Sequence, residues 1–186
     1  YLKEFEAVLR QRSGYKKYFD PEKDPFYSMY DVAEYTFAPY KVMWRRMIGG
    51  TEAVVATQVA DKYVGDRVPV CHEVTTFVPF SDKTEAHYFC AFLNSSLPSL
   101  ISRSYSTSKS FGSPHVLEHV AIPKFEPTSI PHQDLAALSQ QAHRLAAQGE
   151  AAEQELRQVE AEIDRLAAQL WGITPEELAQ LQAQRS

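Results

Sequence analysis

Apolar and polar positions along this chain alternate in three regimes, and each predicts a different kind of element. Between Asp82 and Ile101 the apolar residues Ala86, Phe89, Leu93 and Leu97 recur at helical spacing, so one face of a helix is apolar. That helix opens with Asp82 and Glu85, a D-x-x-E form of the capping box, in which each side chain satisfies a backbone donor of the first turn. Pro98 cannot continue it but can sit in the first turn of a new helix, and Leu100 and Ile101 prolong the apolar face. The pattern then stops. Ser102 to Ser113 reads SRSYSTSKSFGS, mostly hydroxyls with Arg103, Lys109, two aromatics and one Gly, and predicts a polar, basic loop. Leu117 to Pro123 predicts a short strand entering a sheet, with Pro123 ending the pairing.

Upstream, Leu2, Phe5, Val8 and Leu9 make a helical stripe ended by Ser13-Gly14, and Asp20 to Pro25 is a turn-rich acidic loop. Phe26 to Tyr40 is dense in aromatics. They are expected to pack a small core, with stacking on nucleic-acid bases as the functional alternative. Three stretches predict strands: Ala38 to Arg46 with a basic end, Ala53 to Val59, and Val70 to Phe80. In the last, Glu73, Thr75 and Phe77 share one face and Val74, Thr76 and Val78 the other.

Downstream the period changes. Leu135, Leu138, Ala142, Leu145, Gly149, Ala152, Leu156, Val159, Ile163, Leu166 and Leu170 are separated by strictly alternating gaps of three and four. That is an a/d heptad seam over five heptads. Gly149 is its weak point, costing about 1 kcal/mol against Ala in a helix interior, so a bend or break is expected there. Trp171-Gly172 is a stop signal. Thr174, Pro175 and Glu177 then open a last helix as N-cap, first helical residue and capping-box partner. The expected architecture is α/β (α+β): a small mixed sheet with packed helices over residues 1–125, then a long coiled-coil-like helical tail over 126–186.

Charge sharpens this division. The net charge of -5 argues at first against nucleic acid. Yet residues 1–125 hold 15 Lys/Arg and 14 Asp/Glu, whereas residues 126–186 hold 4 and 10, so the acidity sits in the tail. The first part is nearly neutral with local basic clusters, which permits DNA contact on one face. No apolar run approaches the roughly 20 residues of a membrane helix. Cys71 and Cys90 lack C-x-x-C spacing and read as buried free thiols of a reduced, cytoplasmic protein. Tyr1 is not an initiator residue, so a longer parent is expected.

The order of these pieces carries a resemblance. YFCAFLNSSLPSLI, then a Ser/Thr/Gly-rich loop, then VLEHVAIPKF resembles the target-recognition domain of bacterial restriction–modification proteins. In that family a helix ends in L-N-S, a polar loop follows, and an I-P strand leads into a long helix. Ala38 to Arg46 is similar to the P-K-hydrophobic-hydrophobic-W stretch that opens its sheet. EIDRLAAQLWGITPEEL is similar to the ending common in its adenine-N6 DNA methyltransferases, including the fused type IIG restriction enzymes. The resemblance implies a DNA sequence-recognition domain that binds duplex DNA and docks on an N-terminal methyltransferase domain of the same protein. There S-adenosylmethionine would be bound, and the parent could also carry endonuclease activity.

The chain's own chemistry fits that division of labour. It has no G-x-G, no N/D-P-P-Y/F motif and no recognisable nuclease signature, so no catalysis is expected from this piece. His115 to His119 matches H-x-x-E-H, but Pro114 before it and the strand after it deny it the helix a zinc site needs. Ser106 to Lys109 matches S-x-x-K without the partner motifs of an acyl-enzyme. Asn94-Ser95-Ser96 is a formal glycosylation sequon in a helical stretch. The expected DNA contacts are three basic sets: Lys16 and Lys17; Lys41, Arg45 and Arg46; and Arg103 and Lys109 with the hydroxyls of Ser106, Thr107 and Ser108. Lys and Arg neutralise phosphates, hydroxyls donate to them, and Arg reads guanine edges. Two alternatives remain at this point. One is an assembly module that self-associates through the heptad helix; the other is one half of a type I specificity subunit.

Overall fold

The computed structural model describes residues 1–46, 52–72, 74–105 and 114–183, with the backbone alone for 102–105 and 114–116. It divides into two compact units, Tyr1–Phe37 and Ala38–Ser186. The expected boundary at residue 125 falls inside the second.

In the first unit a 3-10 turn, Leu2–Phe5, runs into helix α1 (Glu6–Arg10), and α2 (Ser13–Tyr18) follows. Ser13 and Gly14 therefore open a helix; the sequence signal read as a stop is a start. Two arginines hold this unit together. Arg10 Nε donates to Glu6 Oε1 (2.8 Å) and its Nη1 to the Tyr15 hydroxyl (3.0 Å), which donates to the Asp24 carbonyl (2.8 Å). Arg12 Nη2 donates to the carbonyls of Phe26 (3.0 Å) and Ser28 (2.9 Å). Of the aromatics between Phe26 and Tyr40 expected to pack a core, Tyr27, Tyr30 and Phe37 are exposed, Phe26 and Tyr35 are half-buried, and Tyr40 packs against the core of the second unit; Tyr15, upstream, is buried. Bonds from side chains to backbone do here what apolar burial does elsewhere.

Among the described residues, five short strands open the second unit: β1 (Tyr40–Arg45), β2 (Ala53–Ala56), β3 (Val59–Asp61), β4 (Gly65–Arg67) and β5 (Thr75–Phe80). The main sheet has the order β2-β1-β5 and is antiparallel throughout, so the architecture is α+β and the sheet is not mixed. Among the described residues β3 and β4 pair with each other and with no other strand. The expected strand over 53–59 thus ends at Ala56, and Val59 belongs to a separate ribbon. Val42 sits between Val55 and Val78, and Met43 between Val54 and Phe77, so the expected alternation of Phe77 and Val78 holds. Glu73 lies outside the described residues.

Helix α3 (Lys83–Asn94) is the centre of this unit because it is apolar on two sides. Ala86, Phe89, Cys90 and Leu93 meet the sheet face formed by Tyr40, Val42, Trp44, Ala53, Val55, Val78 and Phe80. Tyr88, Ala91 and Phe92 meet the tail. A helix apolar on both sides is buried rather than laid on a surface. Asp82 caps it as expected, its Oδ1 accepting from Glu85 N (2.8 Å). Helix α4 (Ser96–Tyr105) follows at once, with Pro98 in its first turn. Ser102 to Tyr105, expected in the polar loop, continue this helix, and 106–113 lie outside the described residues.

Leu117–Pro123 is not a strand. Pro114–His119 forms a 3-10 stretch, and among the described residues the chain beyond it pairs with no strand; Ile122 N bonds Val120 O (2.9 Å). Two of its carbonyls are taken by distant side chains. Trp171 Nε1 donates to Ala121 O (2.6 Å), and the Tyr88 hydroxyl donates to Pro123 O (2.9 Å). In a 3-10 stretch, positions four apart stand about 120° apart around the axis, so 115 and 119 share no face.

The heptad seam folds back on itself. Helix α5 (Ile130–Ala146) stops before Gly149, which has φ 66°, and α6 (Glu153–Leu170) follows a 3-10 turn, Gly149–Ala152. The break expected at Gly149 is there. A left-handed residue favours glycine because a Cβ would meet the following carbonyl. Every apolar seam residue joins one cluster with Tyr88, Ala91 and Phe92 of α3. The tail ends as expected: Gly172 N bonds Gln169 O (3.0 Å) and Ile173 N bonds Ala168 O (2.9 Å), a Schellman motif around Gly172 at φ 73°. Thr174 and Glu177 exchange bonds in a capping box that starts α7 (Pro175–Ala183). No helix among the described residues is long and apolar enough to cross a membrane.

Candidate nucleic-acid interface

The residues that carried the resemblance turn out to be the clamps of the second unit. Asn94 faces the outer edge of β2, where its Nδ2 donates to Ala53 O (2.8 Å) and its Oδ1 accepts from Ala53 N (2.7 Å). It thereby imitates a neighbouring strand on an edge that would otherwise expose unpaired backbone. His143 of α5 completes the cover. Val55 N donates to His143 Nε2 (2.9 Å), which puts the ring proton on Nδ1, where it donates to Ser139 O (2.7 Å). The tail helix is therefore hydrogen-bonded to the sheet edge as well as packed on α3.

Asp164, from the EID stretch of α6, caps α4 from outside. Its Oδ1 accepts from Ser96 N (2.6 Å) and its Oδ2 from Gln182 Nε2 (2.9 Å). Together with the Trp171 bond to Ala121, this fixes both sides of the 106–113 segment. α4 leads into that segment and the 114–123 stretch leads out. The two stretches of resemblance, far apart in sequence, are thus joined by direct hydrogen bonds.

The expected contact residues have different fates. Lys16 and Lys17 are exposed in the last turn of α2. Lys17 Nζ stands 4.9 Å from the Tyr18 ring centroid, and Tyr18 stacks on Tyr30 at 3.7 Å. Both rings are about half exposed, at 45% and 55%, and the neighbouring Tyr18 raises the Tyr30 hydroxyl pKa. Arg45 and Arg46 are exposed at the end of β1, and Arg46 N is anchored on Val74 O (2.9 Å). Lys41, expected on the DNA face, is instead buried: it is 1% exposed, its Nζ donates to Ala38 O (3.2 Å), and burial lowers its pKa. It points away from α3 on the second sheet face, but that face is covered at its position, so it offers no charge to a phosphate. Arg103 lies in α4, and Ser106, Thr107, Ser108 and Lys109 lie outside the described residues. The structure thus defines two exposed basic pairs, one in each unit.

Lys62 and Arg67 are two further exposed cations. They stand on the β3–β4 ribbon, whose strand residues are all exposed. The signal was present in the sequence: two short runs flank D-K-Y-V-G-D, a turn composition with a glycine at the return. Cys90 is buried with its pKa pushed up to about 12 by burial, and the half-buried Cys71 is also raised by burial. Among the described residues no group of three His, Cys, Asp or Glu could hold a metal ion. The chain matches no model of a known protein family and no curated protein sequence.

Proposed function

We propose that this chain is the sequence-recognition domain of a restriction–modification DNA methyltransferase acting on adenine N6. It binds duplex DNA and holds it for a catalytic part that this sequence does not contain. The methyl donor S-adenosylmethionine belongs to that part, and the setting is the bacterial cytoplasm. One observation carries the reading. Of the residues shared with the recognition-domain pattern, Asp164 and Trp171 bond to Ser96 and Ala121, on either side of the hydroxyl-rich 106–113 stretch, while Asn94 holds the same helix end to β2 at Ala53. Such an arrangement suits a polar stretch that must be held in register on DNA. The exposed pairs Lys16/Lys17 and Arg45/Arg46 supply phosphate contacts.

The rival reading, a coiled-coil assembly module, needed a partner to cover the heptad seam. The chain covers that seam itself. The test is selection from a randomised duplex pool at two salt concentrations. A short enriched motif is expected, with affinity falling steeply as salt rises. No binding at either salt would remove the DNA reading.

A further inference from the structure

The ribbon Val59–Arg67 has a construction that the rest of the fold does not call for. None of its residues joins a core cluster, and Tyr63 at its tip is 81% exposed, with Val59 and Val64 more than half exposed. A lone two-stranded hairpin is marginally stable in water, and apolar side chains at its tip add nothing to stability while they face solvent. The tip is nevertheless carefully set. Asp61 Oδ1 accepts from Tyr63 N (2.8 Å) and Val64 N (3.0 Å), and Gly65 turns the chain at φ 71°. Lys62 Nζ stands 4.5 Å from the Tyr63 ring centroid, so a cation and an aromatic are presented together.

Val59 and Arg67 lie opposite each other, which puts Arg67 on the ribbon face that also carries Asp61, opposite Gly65, and puts Asp66, opposite Ala60, on the other. The Asp61 carboxylate is engaged by the turn's own N–H groups, which lower its pKa. The B-DNA major groove is about 12 Å wide and admits a two-stranded ribbon.

We propose that this ribbon enters the major groove, with Arg67 directed at base edges and Lys62 at a backbone phosphate beside the Tyr63 tip. The inference rests on the DNA-recognition reading above and adds a reading element to it.

The test uses the full chain, its Lys62→Ala and Arg67→Ala variants, and the same duplex pool at three salt concentrations. Thermal unfolding should be unchanged, because the ribbon lies outside the core. Lys62→Ala should weaken all duplexes about equally and lower the slope of log affinity against log salt by about 0.9, the value of one neutralised phosphate. Arg67→Ala should relax one position of the enriched motif, with about tenfold less discrimination there. If wild-type protein binds no duplex, the recognition reading itself fails. If wild type binds and both variants keep its affinity within twofold and its motif unchanged, the ribbon inference is overturned while the recognition reading stands. A concentration-dependent dimer in sedimentation, abolished in the same variants, would reassign the ribbon to pairing between copies and would also overturn it.

Discussion

Histidine 87 sits where the sheet-packing helix meets the tail. It is 6% exposed, its Nδ1 lies within hydrogen-bonding distance of Ser139 Oγ (3.1 Å), and its ring meets His143 edge-on at 5.0 Å. Burial lowers its pKa to about 4, and the neighbouring His143, Lys83 and Arg144 push the same way. The neutral ring is therefore favoured in the native state, and the unfolded chain binds the extra proton first as pH falls. His87 supports stability fully above the ordinary histidine value, and that support drains away between about pH 6.5 and pH 4. The shift corresponds to a loss on the order of 3 kcal/mol. Urea unfolding at pH 7 and pH 4.5 reads it: wild type should lose markedly more stability between the two than His87→Gln. Equal losses would assign acid sensitivity to the carboxylates. Nothing in the sequence marks this residue, because in Glu85-Ala86-His87-Tyr88 it is one more helix position. Only the arrival of α5, 52 residues on, encloses it. Lys41 was opaque for the same reason. Strand alternation says which face a side chain takes but not what covers that face.

Helix ends were the most legible features, since a cap is settled within four residues. Asp82, Gly172 and the Thr174–Glu177 box act as their spacing implies. The 117–123 stretch was misread because its partners are side chains up to 50 residues away, and an apolar run says nothing about who takes its carbonyls. The cap on α4 is of this second, non-local kind. Ser96 N has its acceptor on α6, and Ser96 Oγ is buried without a hydrogen-bond partner, so the start of that helix leans on Asp164. Asp164→Ala should cost about 1 kcal/mol, as cap removals do, and should do so locally. Hydrogen exchange at the first amides of α4 should speed up while α3 stays protected. In DNA binding, the effect should appear as weaker sequence discrimination with an unchanged salt slope, since no cation is removed. An unchanged exchange pattern would mean that packing, not the cap, starts this helix.

At the scale of the whole chain, the two units differ in how they are held. Among the described residues, the hydrophobic clusters lie between Tyr40 and Leu181, inside Ala38–Ser186, while Tyr1–Phe37 relies on its arginine bonds and a few ring contacts. A unit that carries its own core should fold alone. Residues 38–186 should therefore unfold in one cooperative transition, with a urea midpoint close to that of the full chain. DNA binding should divide along the same line. The shorter chain keeps Arg45, Arg46 and the ribbon, so its enriched motif should match that of the full chain. It lacks Lys16 and Lys17, so its salt slope should be shallower by up to about 2, one step for each phosphate those lysines neutralise. Measuring both quantities separates two roles that affinity alone confounds. If the motif changes and the slope does not, the first unit reads bases, and the exposed Tyr18–Tyr30 stack becomes the place to look. If the slope falls and the motif stays, that unit only anchors the protein to the backbone, and sequence reading belongs to the elements that Asn94, Asp164 and Trp171 hold in place.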